Sequence, residues 1–155
     1  MSLYAVVDCA AADWLFPAVS REPQHEPLFS GALEPELREN APHLVSLGPE
    51  APLLALLNSD EARQAAAGCV LEAELGMAEL RRSLRRKLTA MLPDGRVVMF
   101  RFFDPRVLAT YLDSLTPDET APWFNGISDW WLPMPDRTLH YRLADGRARA
   151  QVLPR

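Results

Sequence analysis

The chain has 155 residues, of which 48% are hydrophobic and 24% charged, and its formal net charge is −5 at pH 7. This length and composition are typical of one globular domain with a sizeable core. The acidic balance argues against a nucleic-acid partner. No apolar run approaches the roughly eighteen residues of a membrane span, and the N-terminus lacks the basic region and cleavage site of a signal peptide. We therefore expect a cytoplasmic protein without nucleic-acid or membrane partners.

The first half of the chain predicts strands separated by short helices. Its apolar run 3–7 indicates a buried strand, and the sequence 43–47 indicates another. The predicted elements are, in order, a strand over 3–7, a helix over 10–19, a loop over 21–27, a short strand over 28–30, a helical turn over 35–40, a strand over 43–47 and a helix that starts between Pro49 and Pro52 and ends at Leu57.

The second half predicts a central strand, longer helices and a terminal hairpin. A helix from Ser59 is expected to break at Gly68, and residues 69–73 indicate a central strand. Amphipathic periodicity predicts helices over 77–88 and 107–115, and Thr116 with Glu119 has capping-box spacing. Residues 138–153 should form a β-hairpin that turns at 145–146.

These elements together predict the fold class and the domain organisation. We expect a mixed α/β (α+β) fold with a mixed or antiparallel β-sheet, covering helices and a C-terminal β-hairpin. No internal repeat or linker divides the sequence, so residues 1–155 should form a single domain.

The stretch 92–107 combines a turn, a strand and the start of a helix. Asp94 and Gly95 are typical of a tight hairpin turn, so residues 88–103 should form an antiparallel hairpin with a strand over 97–103. Asp104 should cap a helix that begins near Pro105. Arg101, Asp104 and Arg106 place charge around the end of this strand. They form either a structural ion pair and cap or part of a recognition surface.

No catalytic motif is visible. The sequence lacks a serine elbow, a phosphate loop, a dinucleotide fingerprint and a zinc-binding helix motif. His25, His43 and His140 are far apart in the sequence, so we expect no metal site and no cofactor. Cys9 and Cys69 should be buried free thiols. A small hydrolase that uses Cys9 with His43 or His140 stays open as an alternative, although no neighbour of Cys9 in the sequence would activate the thiol.

Two features are candidates for protein binding. The outer face of the predicted helix 77–88 carries Arg81, Arg82, Arg85 and Arg86, which form either a solvated face or a docking patch for an acidic partner. Trp123, Trp130 and Trp131 cluster in the stretch 123–135. Adjacent residues on a strand face opposite sides, so one of Trp130 and Trp131 should be buried. The other could pack in a core, anchor a protein interface or stack on a carbohydrate.

The segment Leu-Pro-Asp-Gly-Arg-Val at 92–97 and Phe-Arg-Phe-Phe-Asp-Pro-Arg-Val at 100–107 resembles a bacterial family. This is the effector adaptor, or chaperone, family of type VI secretion, catalogued as a domain of unknown function. Four other stretches are similar to the family pattern and extend the likeness over roughly residues 3 to 135. They are Tyr-Ala-Val-Val-Asp at 4–8, Ala-Pro-His-Leu-Val at 41–45, Glu-Leu-Arg-Arg-Ser-Leu-Arg-Arg at 79–86 and the region of Trp130 and Trp131.

The resemblance implies a cytoplasmic, non-catalytic adaptor in a Gram-negative bacterium. Such an adaptor binds a toxin effector and helps to load it on the valine-glycine-repeat spike protein, without a cofactor. Many members continue into a C-terminal helical lobe that contributes to partner choice, whereas this sequence ends in a predicted hairpin. The motif residues Arg101, Asp104 and Arg106 are the positions that the resemblance would make structural or partner-binding.

Overall fold

The computed structural model describes residues 1–29 and 31–155 as strands, helices and connecting turns. The strands are β1 (Ser2–Asp8), β2 (His25–Pro27), β3 (Pro42–Leu47), β4 (Gly68–Ala73), β5 (Thr89–Met91), β6 (Val97–Met99), β7 (Ile127–Pro133), β8 (Arg137–Ala144) and β9 (Arg147–Pro154). The helices are α1 (Leu15–Ser20), α2 (Pro35–Asn40), α3 (Pro52–Leu57), α4 (Asp60–Ala65), α5 (Met77–Arg85), α6 (Pro105–Ser114) and α7 (Pro117–Thr120). Short 3-10 helices lie at Cys9–Ala11 and Ala121–Trp123.

One seven-stranded sheet organises the domain. Its strand order is β2-β3-β1-β4-β7-β8-β9, and neighbouring strands pair antiparallel. The predicted mixed α/β class with an antiparallel sheet is therefore confirmed. The strand predicted over 69–73 is central, with three strands on either side of it. Its residues are almost all buried, as a continuous apolar run in the middle of a sheet requires.

The sheet separates two hydrophobic cores. In β1, Tyr4 and Val6 point into one core, while Ala5 and Val7 point into the other. The first core is covered by α5, α6 and the region of Trp123, and the second by α1, α3 and α4. Every residue from Tyr4 to Asp8 is buried because helices cover both faces of this strand.

The C-terminal hairpin extends the sheet to its far edge. Residues 137–154 pair in register with a two-residue turn, in which Asp145 and Gly146 have φ values of 53° and 77°. Two positive φ values match the right-handed twist of the strands, and aspartate followed by glycine adopts them readily. The predicted hairpin is confirmed and is one residue longer at each end.

The second predicted hairpin is shorter than expected. β5 and β6 pair as a separate two-stranded ribbon, and Gly95 in the turn has φ 89°. The strand predicted over 97–103 ends at Met99, because Phe102 and Phe103 both turn into the core. Asp104 caps α6 as predicted, and its carboxylate accepts a hydrogen bond from the Arg106 backbone N–H at 2.9 Å.

Three boundaries in the first half were predicted wrongly. The helix expected over 10–19 is a 3-10 helix at Cys9–Ala11 followed by α1. The loop expected over 21–27 contains β2, whereas Leu28 and Phe29 do not belong to a strand. The last residue of the strand predicted over 28–30 lies outside the described residues. By contrast, α3 begins at Pro52 and ends at Leu57 as predicted, since proline suits the first turn of a helix.

Candidate functional site

The β5–β6 ribbon exposes an apolar face. The register pairs Met91 with Val97 and Thr89 with Met99, so these side chains share one face. Met91 is 75% exposed, Val97 63% and Met99 53%. A two-stranded ribbon is stable only when a hydrophobic face packs against something else. This face lacks such cover among the described residues, which makes it available to a partner.

The chain after β2 forms an apolar surface opposite the ribbon, and this surface (residues 28–29 and 31–40) is called the wall. The segment after β2 contributes Phe29, Leu33 and Leu37 to a groove of about 820 Å³. Leu28 and Leu88, which are buried, line its inner surface, and Val97 and Met99 line the ribbon side. The groove therefore has apolar walls from two separate parts of the chain.

A basic rim borders the groove. Arg82, Arg85 and Arg86 of the α5 region line it beside the apolar walls. They lie on the outer face of α5 because Leu80 and Leu84 pack into the core. Lys87 is differently placed, since its Nζ donates to Ser83 Oγ at 3.0 Å and lies 5.6 Å from the centre of the Trp123 ring. Burial and the neighbouring Arg86 lower the pKa of Lys87 to about 8.

Arg81 holds the apolar wall in place. Its Nε donates to the carbonyl of Pro27 at 2.8 Å, and its Nη2 donates to the carbonyl of Phe29 at 3.3 Å. Arg81 was predicted as a member of the partner-binding face. Its guanidinium fixes the chain where the wall leaves the sheet, and its role in partner binding stays a prediction.

His43 holds the other end of the wall. His43 is fully buried on β3, and its Nε2 hydrogen-bonds the carbonyl of Arg38 at 2.8 Å. Burial lowers the pKa of His43. No side chain of α2 is buried, so this helix depends on a few such contacts. The described parts of the wall, residues 28–29 and 31–40, are thus anchored near both ends by side chains that bind the backbone.

Replacing Arg81 by alanine should lower the free energy of unfolding by about 1–3 kcal/mol, because two carbonyl groups lose a charged donor. Replacing Arg82, which lines the rim, should change it by less than about 0.5 kcal/mol. Urea denaturation of both variants measures the difference. Equal stabilities of the two variants would show that Arg81 does not hold the wall.

The motif residues Arg101, Asp104 and Arg106 form two ion pairs. Arg101 Nη2 lies 2.6 Å from Asp8 Oδ2, which joins the end of the ribbon to the end of β1. Arg106 Nη2 lies 2.8 Å from Asp104 Oδ2. Burial opposes ionisation of Asp104, but the hydrogen bonds from Arg106 outweigh it and lower the pKa of Asp104. The first ion pair fixes the ribbon to β1, and the second stabilises the start of α6.

The three tryptophans occupy different environments. Trp123 and Trp130 are buried in the first core, and Trp130 Nε1 donates to the carbonyl of Trp123 at 2.9 Å. Trp131 faces the opposite side of the sheet, as the alternation predicts, and is half-buried. It stacks on His140 with 4.7 Å between the ring centres and lines an apolar pocket of about 280 Å³. Of the three, only Trp131 has surface available to a partner.

The sheet separates the two cysteines but brings two of the histidines together, since the ring centres of His25 and His43 lie 5.8 Å apart. Cys9 and Cys69 are buried free thiols on opposite faces, as predicted, and burial raises the pKa of each to about 12. His140 Nε2 binds Asp129 Oδ1 at 2.7 Å, and His43 binds a backbone carbonyl. Within residues 1–29 and 31–155, no three histidine, cysteine or acidic side chains are grouped so as to hold a metal ion.

The fold and the groove define a single mixed α/β domain with an open apolar surface bordered by arginines. The chain belongs to the DUF4123 family, a domain of unknown function, whose model matches residues 3–121. Comparisons with curated proteins and with solved structures found no match. In the described part of the chain, no helix has the length and apolar character needed to cross a membrane. The strands β7, β8 and β9 lie beyond the matched residues.

Proposed function

We propose that this protein is a non-catalytic adaptor of type VI secretion that acts in the cytoplasm. It binds a toxin effector and helps to load it on the valine-glycine-repeat spike protein. Membership of the DUF4123 family and the likeness of the segment 92–107 to effector adaptors support this role. Arg101 then acts by positioning, since its ion pair with Asp8 holds the ribbon that forms one side of the groove, while Asp104 and Arg106 stabilise the start of α6.

The groove between the ribbon and the wall (residues 28–29 and 31–40) carries the proposal. Its exposed side chains include Leu37, Val97 and Met99, which lie together and not scattered over the surface. Clustered exposed apolar side chains with a polar border are typical of protein interaction sites. Methionine adapts its shape to different partners, which suits a surface that must accept and release a protein.

The arginine rim indicates the charge of the partner. Arg82, Arg85 and Arg86 border the groove, whereas the chain as a whole is acidic. Exposed charges at the rim of an interface mainly steer the encounter and are screened by salt. The groove therefore fits an apolar segment of the effector that has acidic residues beside it.

Replacing Val97 by aspartate should weaken binding of the effector by about 2 kcal/mol, or roughly thirtyfold, because a charge then occupies the centre of the apolar surface. The control is Val107→Asp, which places the same charge on an exposed valine of α6 outside the groove. Binding kinetics with the effector encoded beside this gene measure both variants. Equal loss of binding in the two variants, or no loss in either, would contradict the assignment of the groove.

The rim is tested separately in the same assay. Reversing Arg82 and Arg86 to glutamate should chiefly slow association, and more at low salt than at high salt. Arg21→Glu is the matched control, since Arg21 is exposed after α1 and does not line the groove. A faster dissociation rate as the main effect, or an effect independent of salt, would contradict the steering role.

A further inference from the structure

The outer edge of β9 is an open strand edge at the end of the sheet. β9 pairs with β8 on one side and is the last strand in the order. It has eight residues, whereas β2 at the opposite edge has three and ends in Pro27. Proteins usually keep edge strands short or interrupt them with proline, because open edges pair with other chains. Most of β9 lacks this protection.

The register identifies the free backbone groups. In a hairpin with a two-residue turn, the residues that flank the turn form a hydrogen-bonded pair, here Ala144 and Arg147. Hydrogen-bonded pairs then recur at every second residue. The backbone N–H and C=O groups of Ala148, Ala150 and Val152 accordingly point away from β8. Pro154, the next outward position, lacks an N–H and ends the usable edge.

The side chains along this edge alternate in chemistry. Ala148, Ala150 and Val152 lie on the face of the first core, and Val152 is 56% exposed. Arg149 and Gln151 lie on the other face. The C-terminal hairpin is strongly basic although the chain is acidic. From position 137 onward, the charged side chains are Arg137, Arg142, Asp145, Arg147, Arg149 and Arg155.

Charge decides which occupant fits the edge. If two copies of this chain paired antiparallel through β9 about Ala150, the two Arg149 side chains would be diagonal neighbours on one face, and like charges at such positions are unfavourable. An acidic strand meets the same arginines as counter-charges. The arginines therefore disfavour self-pairing and favour an acidic partner.

We propose that the outer edge of β9 binds an extended segment of a partner protein in which acidic and apolar residues alternate. The segment adds an eighth strand to the sheet and bonds to the backbone of Ala150 and Val152, beyond the buried Ala148. Its apolar side chains cover Val152 and Ala150, and its carboxylates pair with Arg149, whereas Arg147 donates to the carbonyl of Leu115. Strand addition of this kind takes its affinity from backbone hydrogen bonds and its specificity from alternate side chains.

The site is independent of the groove, because none of these residues lines the groove. It also lies outside residues 3–121, which the family model matches. Loss of effector binding through the groove would leave strand addition at β9 intact, so failure of one proposal is distinguishable from failure of the other.

The test uses the full chain and a short synthetic peptide in which glutamate alternates with valine. Amide hydrogen exchange should show fast exchange at Ala150 and Val152 in the free protein and at least tenfold slower exchange with the peptide. Arg149 and Gln151, whose amides face β8, should be protected in both states. A peptide with lysine in place of glutamate should give no protection.

Variants at one position isolate the backbone contribution. Ala150→Pro removes an outward N–H and should weaken peptide binding at least tenfold, while Ala150→Ser keeps the N–H and should bind like the original chain. If Ala150→Pro does not fold, as judged by circular dichroism, the exchange measurement on the unaltered chain decides. Unchanged exchange with the peptide would overturn the proposal. Protection that grows with protein concentration, with a dimer mass in solution, would instead identify a second copy as the occupant and also overturn it.

Discussion

Replacement of Gly68 by alanine should destabilise the fold by about 3 kcal/mol or more. A Cβ at this position would lie 2.2 Å from the carbonyl oxygen of Val6. That oxygen belongs to the backbone of β1, which pairs with β4 at the centre of the sheet. Because a backbone carbonyl in a paired strand cannot rotate aside like a flexible side chain, one of the two strands must shift. Small domains are stable by only about 5–15 kcal/mol, so this loss is a large fraction of the whole.

The measurement is urea denaturation with Gly48→Ala as the control. A Cβ on Gly48 meets no atom within 4 Å, and this glycine does not have a positive φ. Its replacement should change the free energy of unfolding by no more than about 1 kcal/mol, and the sign should be stabilising because alanine restricts the unfolded chain. If the two variants lose the same stability, the close approach of β1 and β4 does not limit this position.

Local sequence signals predicted those elements whose chemistry is local. Asp145 and Gly146 specify their turn because few residues adopt two consecutive positive φ values. Thr116 and Glu119 form the predicted capping box, and each satisfies a backbone N–H of the other. Asp104 caps α6 for the same reason. Turns and helix caps of this kind depend only on residues that are close together in the sequence, so they can be predicted from one sequence.

Elements that depend on tertiary contacts were predicted less well. The helix α4 was expected to stop at Gly68, but it ends at Ala65, and the capping residue Ala66 has φ 54°. Gly68 is instead the residue that lets β4 approach β1. Likewise, Phe102 and Phe103 have strong strand propensity, yet both pack into the first core and do not belong to the ribbon. In each case, packing against a segment that is distant in the sequence outweighs the local propensity of the residue.

The candidate site was predicted only in part. The run of basic residues on α5 was identified, and Arg82, Arg85 and Arg86 line the groove. The sequence could not show that Arg81 reaches Pro27 and Phe29, which are more than fifty positions away. The apolar face of the ribbon was missed because exposed and buried apolar strands look alike in sequence. The sequence did contain one indication of this face. A hairpin that turns at Asp94 and Gly95 places the side chains of Met91, Val97 and Met99 on the same side.

Trp130 connects the β7–β9 half of the sheet to the aromatic side chains that support the ribbon. It is fully buried, and its ring lies 6.0 Å from Trp123 and 6.4 Å from Phe102. Trp123 in turn contacts Phe100, which directly follows β6, and Lys87, which follows α5. Strands outside the family match therefore support the groove through this aromatic cluster.

Trp130→Ala should lower the free energy of unfolding by about 3–5 kcal/mol, because it leaves a large cavity and removes the donor to the Trp123 carbonyl. Trp130→Phe keeps an aromatic ring but still leaves that buried carbonyl without its donor, which should cost about 1–3 kcal/mol. Trp131→Ala is the matched control on the next residue. Its ring is half-buried and stacks on His140, so its loss should cost about 1 kcal/mol.

Thermal and urea denaturation rank the three variants, and effector binding is measured at a temperature where all remain folded. Trp130→Ala should then weaken binding, since the ribbon loses part of the aromatic packing that supports it. Trp131→Ala should leave binding through the groove unchanged. A stable Trp130→Ala variant would contradict the central position of this side chain in the core. Loss of binding in Trp131→Ala without loss of stability would move the interface to the opposite face of the sheet, where Trp131 is half-buried.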